Sequence, residues 1–245
     1  MESLLEMLTS LQQEILQCRL CPRLVEWRER VAREKVLRFR DQEYWGRPVP
    51  SFGKADASLL IIGLAPAAHG GNRTGRMFTG DRSGDWLYEA LYRFGFANQP
   101  LSLHRNDGLE LLNCFITAAV RCAPPDNKPL PPELDNCRRY LRQELKWTEQ
   151  KRVIVVLGQI ALNGFLKAWR ETGASPPGEL IKFCHGGEWE LSSCLTLISS
   201  YHPSQQNTQT GRLTRPMFHD IFKRARDLLD RYHDSGSRIL SPAES

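Results

Sequence analysis

Four short runs of unbroken apolar residues stand out along an otherwise mixed chain: Ser58–Gly63 (SLLIIG), Cys114–Val120 (CFITAAV), Val153–Gly158 (VIVVLG) and Leu195–Ser200 (LTLISS). Each is too short for a stable helix and none alternates polar with apolar, the pattern of strands covered on both faces. Between them apolar positions recur at helical spacing. This predicts helices over about Gly84–Phe94, Glu133–Trp147 and Gln159–Trp169, and a last one over about Arg215–Tyr232 with Phe218, Ile221, Phe222, Ala225 and Leu229 on one face. Leu4, Leu5, Leu8, Leu11 and Ile15 predict an amphipathic helix leading into Cys18. Residues 26–47 are dense in charge and read as a solvated helix or surface loop. Strands alternating with helices predict a parallel sheet with helices on both sides. Such sheets bind ligands beyond the carboxyl ends of their strands. Residues 1–232 then form one domain, and the polar stretch 233–245 a flexible tail.

A length of 245 residues suits one α/β domain with a single sizeable core. Lys+Arg exceed Asp+Glu by 33 to 28, a net +5 that permits an anionic partner without requiring one. No apolar run approaches the ~20 residues that span a bilayer, and the acidic start MESLLEMLTS lacks a charged leader. An intracellular protein with no membrane partner is expected. The seven cysteines are an odd count, and in a reducing compartment clustered cysteines read as ligands rather than disulfides. Cys18 and Cys21 form a C-x-x-C; Cys122 and Cys137 form a second pair across a proline-rich segment. Two such pairs can supply four thiolates to a [4Fe–4S] cluster or to a tetrahedral zinc, and spacing does not choose between them. Cys114 falls inside a strand and reads as core. Cys184 and Cys194 lie in a hairpin-like excursion and receive no role.

Two loops at strand ends are unusual. After the first strand comes GLAPAAHGGNRTGRMFTGD (Gly63–Asp81), rich in glycine, carrying Arg73 and Arg76, and without helical period. Its backbone can approach an anion or a flat ligand closely, yet it has neither P-loop nor dinucleotide-binding glycine order. Phe78 reads either as a core plug or as a stacking surface for a base. Asp81 reads either as a helix cap, which Ser83 could supply equally, or as a chemical group. After the last strand comes YHPSQQNTQTGRLTRP (Tyr201–Pro216), with His202 fixed by the following proline, a polar run Ser204–Thr210, and Arg212 and Arg215. No acid occurs between Glu190 and Asp220, which suits a polyanionic partner.

The motifs CRLCPR (Cys18–Arg23), GLAPAAHGGNRTGRMFTGD, TAAVRCAPPDNKP (Thr117–Pro129) and HPSQQNTQTGRLT (His202–Thr214) occur in this order over most of the chain. By these the sequence resembles the iron–sulfur uracil-DNA glycosylases, most closely the fifth family. The resemblance implies a three-layer α/β/α sandwich with a central four-stranded parallel sheet. It also implies a structural [4Fe–4S] cluster on Cys18, Cys21, Cys122 and Cys137, and a monofunctional enzyme that removes deaminated bases from double- or single-stranded DNA. A monomer in the cytoplasm, associated with the nucleoid, is expected. A flipped base would lodge between the rings of Phe78 and His202. His202 would stabilise charge on the base, and Asp81 would orient water. The backbone about Gly63, Ala65 and Ala67 would line the base edge, with Asn127 as a polar pocket residue. Arg76 is expected to contact DNA, as are Gln205, Gln206, Asn207 and Arg212, the loop of the last four serving as a wedge in the vacated stack.

Two positions depart from other uracil glycosylases. Ala67 stands where several families carry Asp or Asn after the G-x-x-P turn, and Ala118 where they carry a base-reading Asn. Both fit the fifth family's own pattern. A pocket without that amide rejects other bases less sharply, so hypoxanthine, and with it mismatched thymine or etheno-adducts, enters the expected range. No lysine occupies an obvious nucleophile position, so no Schiff base is expected. Two rival readings use the same residues: a non-catalytic iron–sulfur DNA-binding module, and a zinc-stabilised hydrolase of free nucleotides. His202 with Asp81 weighs against the first, and the polar wedge loop against the second.

Overall fold

The computed structural model describes residues 3–147, 150–174 and 180–238. Its centre is a six-stranded sheet of β1 (Phe52–Gly53), β2 (Leu59–Gly63), β3 (Cys114–Ala118), β4 (Val153–Leu157), β5 (Glu188–Ser192) and β6 (Leu195–Ser200), in the order β1-β3-β2-β4-β6-β5. The four apolar runs are the four central strands, and they are parallel. The expected four-stranded sheet is therefore extended at each edge by an antiparallel strand. β1 is only two residues long. β5 alternates exposed and half-buried side chains, and it forms the first arm of the hairpin expected around Cys184 and Cys194.

Why the central runs do not alternate is visible in what they cover. Leu59, Ile61, Cys114, Ile116, Val153 and Val155 pack on one face with Leu87, Leu91, Phe218 and Phe222. Leu60, Ile62, Phe115, Ile154 and Val156 pack on the other with Leu141, Leu145, Leu162 and Phe165. The first helical layer is α4 (Arg82–Arg93) and α8 (Arg215–Arg238); the second includes α5 (Pro131–Leu145) and α6 (Gln159–Arg170). The α/β/α sandwich is thus the observed architecture. α8 runs on to Arg238, into the stretch expected to be a flexible tail, and residues 239–245 lie outside the described residues.

The N-terminal segment builds a third, smaller core. α1 (Leu4–Gln17) starts with a capping box between Ser3 and Glu6 and ends at Cys18; Leu8, Leu11 and Ile15 are buried while Leu5 is exposed. α2 (Pro22–Glu34) begins at Cys21 with proline at its first position. α2 buries Leu24, Val25, Arg28 and Val31, the last two within residues 26–47 and contrary to the expectation of a solvated segment there. Leu11, Ile15 and Leu24 pack with Val120, Cys122, Cys137 and Tyr140. Two further short helices lie at strand ends, α3 (Gly71–Thr74) and α7 (Gln205–Gln209). No described helix is long and apolar enough to cross a membrane.

Candidate active site

The loops following β2 and β6 meet at the carboxyl edge of the sheet. Phe78 and His202 pack ring to ring, with centroids 5.9 Å apart and planes inclined by 30°. A Cβ at Gly63 would stand 2.7 Å from Phe78 Cζ, so the aromatic ring lies over the end of β2 and only glycine leaves room for it. The backbone of Phe78 is left-handed (φ 52°), an uncommon state for a bulky residue that the surrounding packing must hold. Gly84 in α4 abuts the Phe78 carbonyl, and a side chain there would collide with it. The expectation of a base lodged between the two rings needs correction. Such a sandwich takes two successive contacts of about 3.5–4.0 Å each, more than the 5.9 Å observed. The two rings are stacked on one another, and Phe78 is half-buried.

His202 is largely desolvated, and burial pushes its pKa down to about 4. It is neutral at physiological pH, able to donate one hydrogen bond without bringing a charge. The Asn207 amide donates to the His202 carbonyl oxygen at 2.8 Å, and Ser204 caps α7. The expected wedge loop is therefore a short helix braced against its own histidine. Asn207 faces inward, a brace rather than a free DNA contact, whereas Gln205, Gln206 and Arg212 are exposed. Arg212 lies over the Tyr201 ring at 4.5 Å, and Tyr201 stacks on His185 at 5.1 Å. Arg215 is committed elsewhere, paired with Glu89.

The helix-cap reading of Asp81 holds. Asp81 is the N-cap of α4, accepting from the Gly84 amide at 3.0 Å, and its other oxygen lies against Gly70, where any side chain would collide with it. Desolvation raises its pKa, opposed by the amides of Gly84 and Ser83. The result is a poorly solvated carboxylate held in the glycine-rich loop. Within the same loop, the Ala67 carbonyl accepts from the amides of Gly70 and Asn72 at 3.2 and 3.0 Å. Ala65 and Ala67 are half-buried.

Arg76 is not a DNA contact. It is 5 % exposed, and its guanidinium is engaged by Asp107 at 2.7 Å, Ser102 at 2.7 Å and Thr79 at 3.0 Å. It braces the loop from within. Asn127 also stands apart. It is exposed in the 3-10 turn Pro125–Asn127, with left-handed backbone, and no hydrogen bond or ring contact joins it to Phe78 or His202.

Cys18, Cys21, Cys122 and Cys137 line one small cavity together with Leu24, Arg28 and Val120. Burial pushes the Cys122 thiol up to about 11 and the Cys137 thiol up to about 12. Three N–H groups point at these sulfurs: Arg28 Nη1 to Cys122 at 2.9 Å, the Arg121 amide to Cys137 at 3.2 Å, and Asn136 Nδ2 to Cys21 at 3.5 Å. Among the described residues no three Cys, His, Asp or Glu side chains close around a point that one metal ion would occupy. Ala65 packs against this cysteine core, which thereby abuts the turn carrying Ala67.

Two features are not evident from local composition. Arg28 falls in a charge-dense segment, yet its spacing from Leu24, Val25 and Val31 puts it on the apolar stripe of α2. Arg121 and Glu144, both about 1–2 % exposed, form a buried ion pair at 2.6 Å that also engages Thr117 and Ser51. Nothing local in the sequence announces that pair, because its partners lie far apart along the chain. A further cavity of about 320 Å³ between α5 and α6 is lined by Leu134, Leu141, Ile160, Lys167 and Arg170 among others, and contains none of the candidate residues.

The sequence profile of the Uracil DNA glycosylase superfamily matches residues 50–226. The type-5 uracil-DNA glycosylase of Mycobacterium tuberculosis (strain CDC 1551 / Oshkosh) is 52% identical over 212 residues, 86% of this chain and 78% of the relative. The type-5 uracil-DNA glycosylase of Thermus thermophilus is 49% identical over 216 residues, 88% of this chain and 95% of the relative. A type-4 uracil-DNA glycosylase of Pyrobaculum aerophilum is 30% identical over 206 residues, 82% of this chain and 90% of the relative.

Proposed function

This chain belongs to the Uracil DNA glycosylase superfamily, among its type-5 members, and on that premise we propose how its residues excise a base. It is a hydrolytic DNA glycosylase that removes uracil from DNA in base-excision repair. The reacting nucleotide must leave the helix to be reached, and its base stacks on the Phe78 ring. As the bond from the base nitrogen to C1′ breaks, its electron pair passes to the base and the sugar becomes cationic. Neutral His202 donates a hydrogen bond to the base oxygen that gains the charge; a donor aimed in this way contributes about 3 kcal/mol. The Asp81 carboxylate orients a water molecule toward C1′ and takes its proton, leaving an abasic site. The observation that supports this reading is the junction at one sheet edge of an aromatic face, a neutral imidazole and a desolvated carboxylate.

Deaminated bases beyond uracil, hypoxanthine first, fall within its range. Ala118 is buried at the end of β3 and offers no side-chain hydrogen bond, and Ala67 contributes only its backbone. A pocket with few polar groups to leave unpaired discriminates weakly. The reaction is monofunctional. The one buried lysine among the described residues is Lys151, just before the amino end of β4, whereas the site lies at the carboxyl ends. Acting on DNA would place the protein at the nucleoid. Base release from duplexes carrying U:G, hypoxanthine:T and T:G tests the range: release from the first two is expected, and uracil-only activity would refute it.

Cys18, Cys21, Cys122 and Cys137 would hold a [4Fe–4S] cluster, as their shared cavity and the N–H groups directed at their sulfurs support. When bound, such a group supplies positive iron centres that keep its thiolates ionised despite their burial. Its role here is to fasten α1 and α2 to the loop after β3.

A further inference from the structure

Arg28 is 2 % exposed, yet no carboxylate among the described residues pairs with it. The other buried guanidiniums are matched: Arg76 by Asp107, Arg121 by Glu144, and Arg73 by the oxygens of His69, Gln42 and Gly80. Arg28 has only Cys122 Sγ at 2.9 Å and the Cys18 carbonyl oxygen at 3.2 Å, and its Nε finds no partner. A cation so far from water is costly unless an anion faces it. The anions nearest at hand are sulfurs, since Arg28 lines the cavity that Cys18, Cys21, Cys122 and Cys137 share.

We propose that Arg28 is the charge partner of the iron–sulfur cluster, donating to a ligand sulfur and setting both the cluster's potential and its retention. The proposal rests on the cluster reading given above. A cube of four irons and four sulfides bound by four thiolates is anionic in both its common oxidation states, and more so when reduced. A buried guanidinium on one ligand sulfur therefore favours the reduced form and opposes cluster loss. The same residue reaches toward the catalytic loop, because the Arg28 carbonyl accepts from Asn72 Nδ2 at 3.2 Å and the Asn72 amide donates to the Ala67 carbonyl at 3.0 Å. The helix that meets the sulfur thus also holds the turn beneath the base pocket. Arg28 is in this sense a positioning residue, touching neither substrate nor reacting atoms.

Full-length wild type, R28Q and R28K, purified without oxygen, decide the matter. Iron and acid-labile sulfide are measured first, then the midpoint potential, then the rate at which a chelator removes iron. R28Q is expected to have a lower midpoint potential than wild type and to lose iron about 10-fold faster, the scale on which outer partners act at metal sites. R28K, which keeps the charge but cannot span both acceptors, is expected to fall between them. R28Q matching wild type in potential and in loss rate would overturn the role of Arg28 and leave the cluster reading standing. If R28Q does not fold, R28K carries the test, and an iron-loss rate equal to that of wild type overturns the proposal. Wild type without iron and sulfide would instead overturn the cluster reading, and the inference with it.

Discussion

Asp81 carries two duties that pull in opposite directions. As N-cap it stabilises α4, while desolvation raises its pKa and disfavours the ionised form that the proposed activation of water needs. Its folded pKa is raised, so ionisation at neutral pH costs stability that the protonated form would not. D81N preserves the cap, since Asn caps as well as Asp, and removes the buried charge. Thermal melting at neutral pH should therefore show D81N at least as stable as wild type, while base release falls about 10²–10⁴-fold, the range for a lost general base. A drop of only a few-fold would move water activation elsewhere. His202 has the opposite sign. Its folded pKa lies near 4, below the ordinary imidazole value, so stability is lost as pH falls from about 6.5 toward 4, and the neutral ring persists through physiological pH. Melting wild type against H202Q across that window isolates the contribution, which the variant should lack. At this scale the sequence named Phe78, His202 and Asp81 through the loops that carry them. It could not give the ring-to-ring distance that excludes a sandwiched base, because that depends on how two loops over a hundred residues apart close together.

Arginines in loops at strand ends invite assignment to phosphate, and here two of them part ways. Arg76 lies within the loop preceding α4 and is locked to Asp107, Ser102 and Thr79, whereas Arg212 follows α7 and is exposed over Tyr201. R76A should leave the Asp107 carboxylate with no cation, held only by the backbone amides of Leu103, His104 and Leu109, and destabilise the fold by about 3 kcal/mol, read by denaturant unfolding. R212A should leave stability unchanged and flatten the dependence of DNA affinity on salt by about one unit of log–log slope. Sequence alone separates the two poorly, since burial of a charged residue depends on a partner that arrives from another element. The same limit hid α2. Its charge density suggested a solvated segment, and only the spacing of Leu24, Val25, Arg28 and Val31 betrayed a buried stripe. By contrast the four central strands were legible from composition, because a strand covered on both faces has no room for polar residues. The edge strands β1 and β5 were not, one being two residues long and the other half-exposed.

Taken as a whole, the molecule sets a parallel sheet beneath two loops and packs its N-terminal helices against the loop after β3 and against α5 in a small core that includes four cysteines. Strand order and helix layers fix where the carboxyl edges lie, and every candidate group on the loops after β2 and β6 follows from that placement. The fold class was therefore readable early, and the site's location with it. Left open were the contacts made across the molecule, such as Arg28 to Cys122 and Arg121 to Glu144. The central claim is that a base stacked on Phe78 is released with a neutral His202 donating a hydrogen bond to the base oxygen that gains the charge. It is tested most directly by the single-turnover rate of uracil release from a U:G duplex, wild type against H202A at neutral pH. The predicted result is free uracil and an unbroken abasic strand from wild type, with H202A slower by about 10²–10³-fold. An H202A rate within a few-fold of wild type would contradict it.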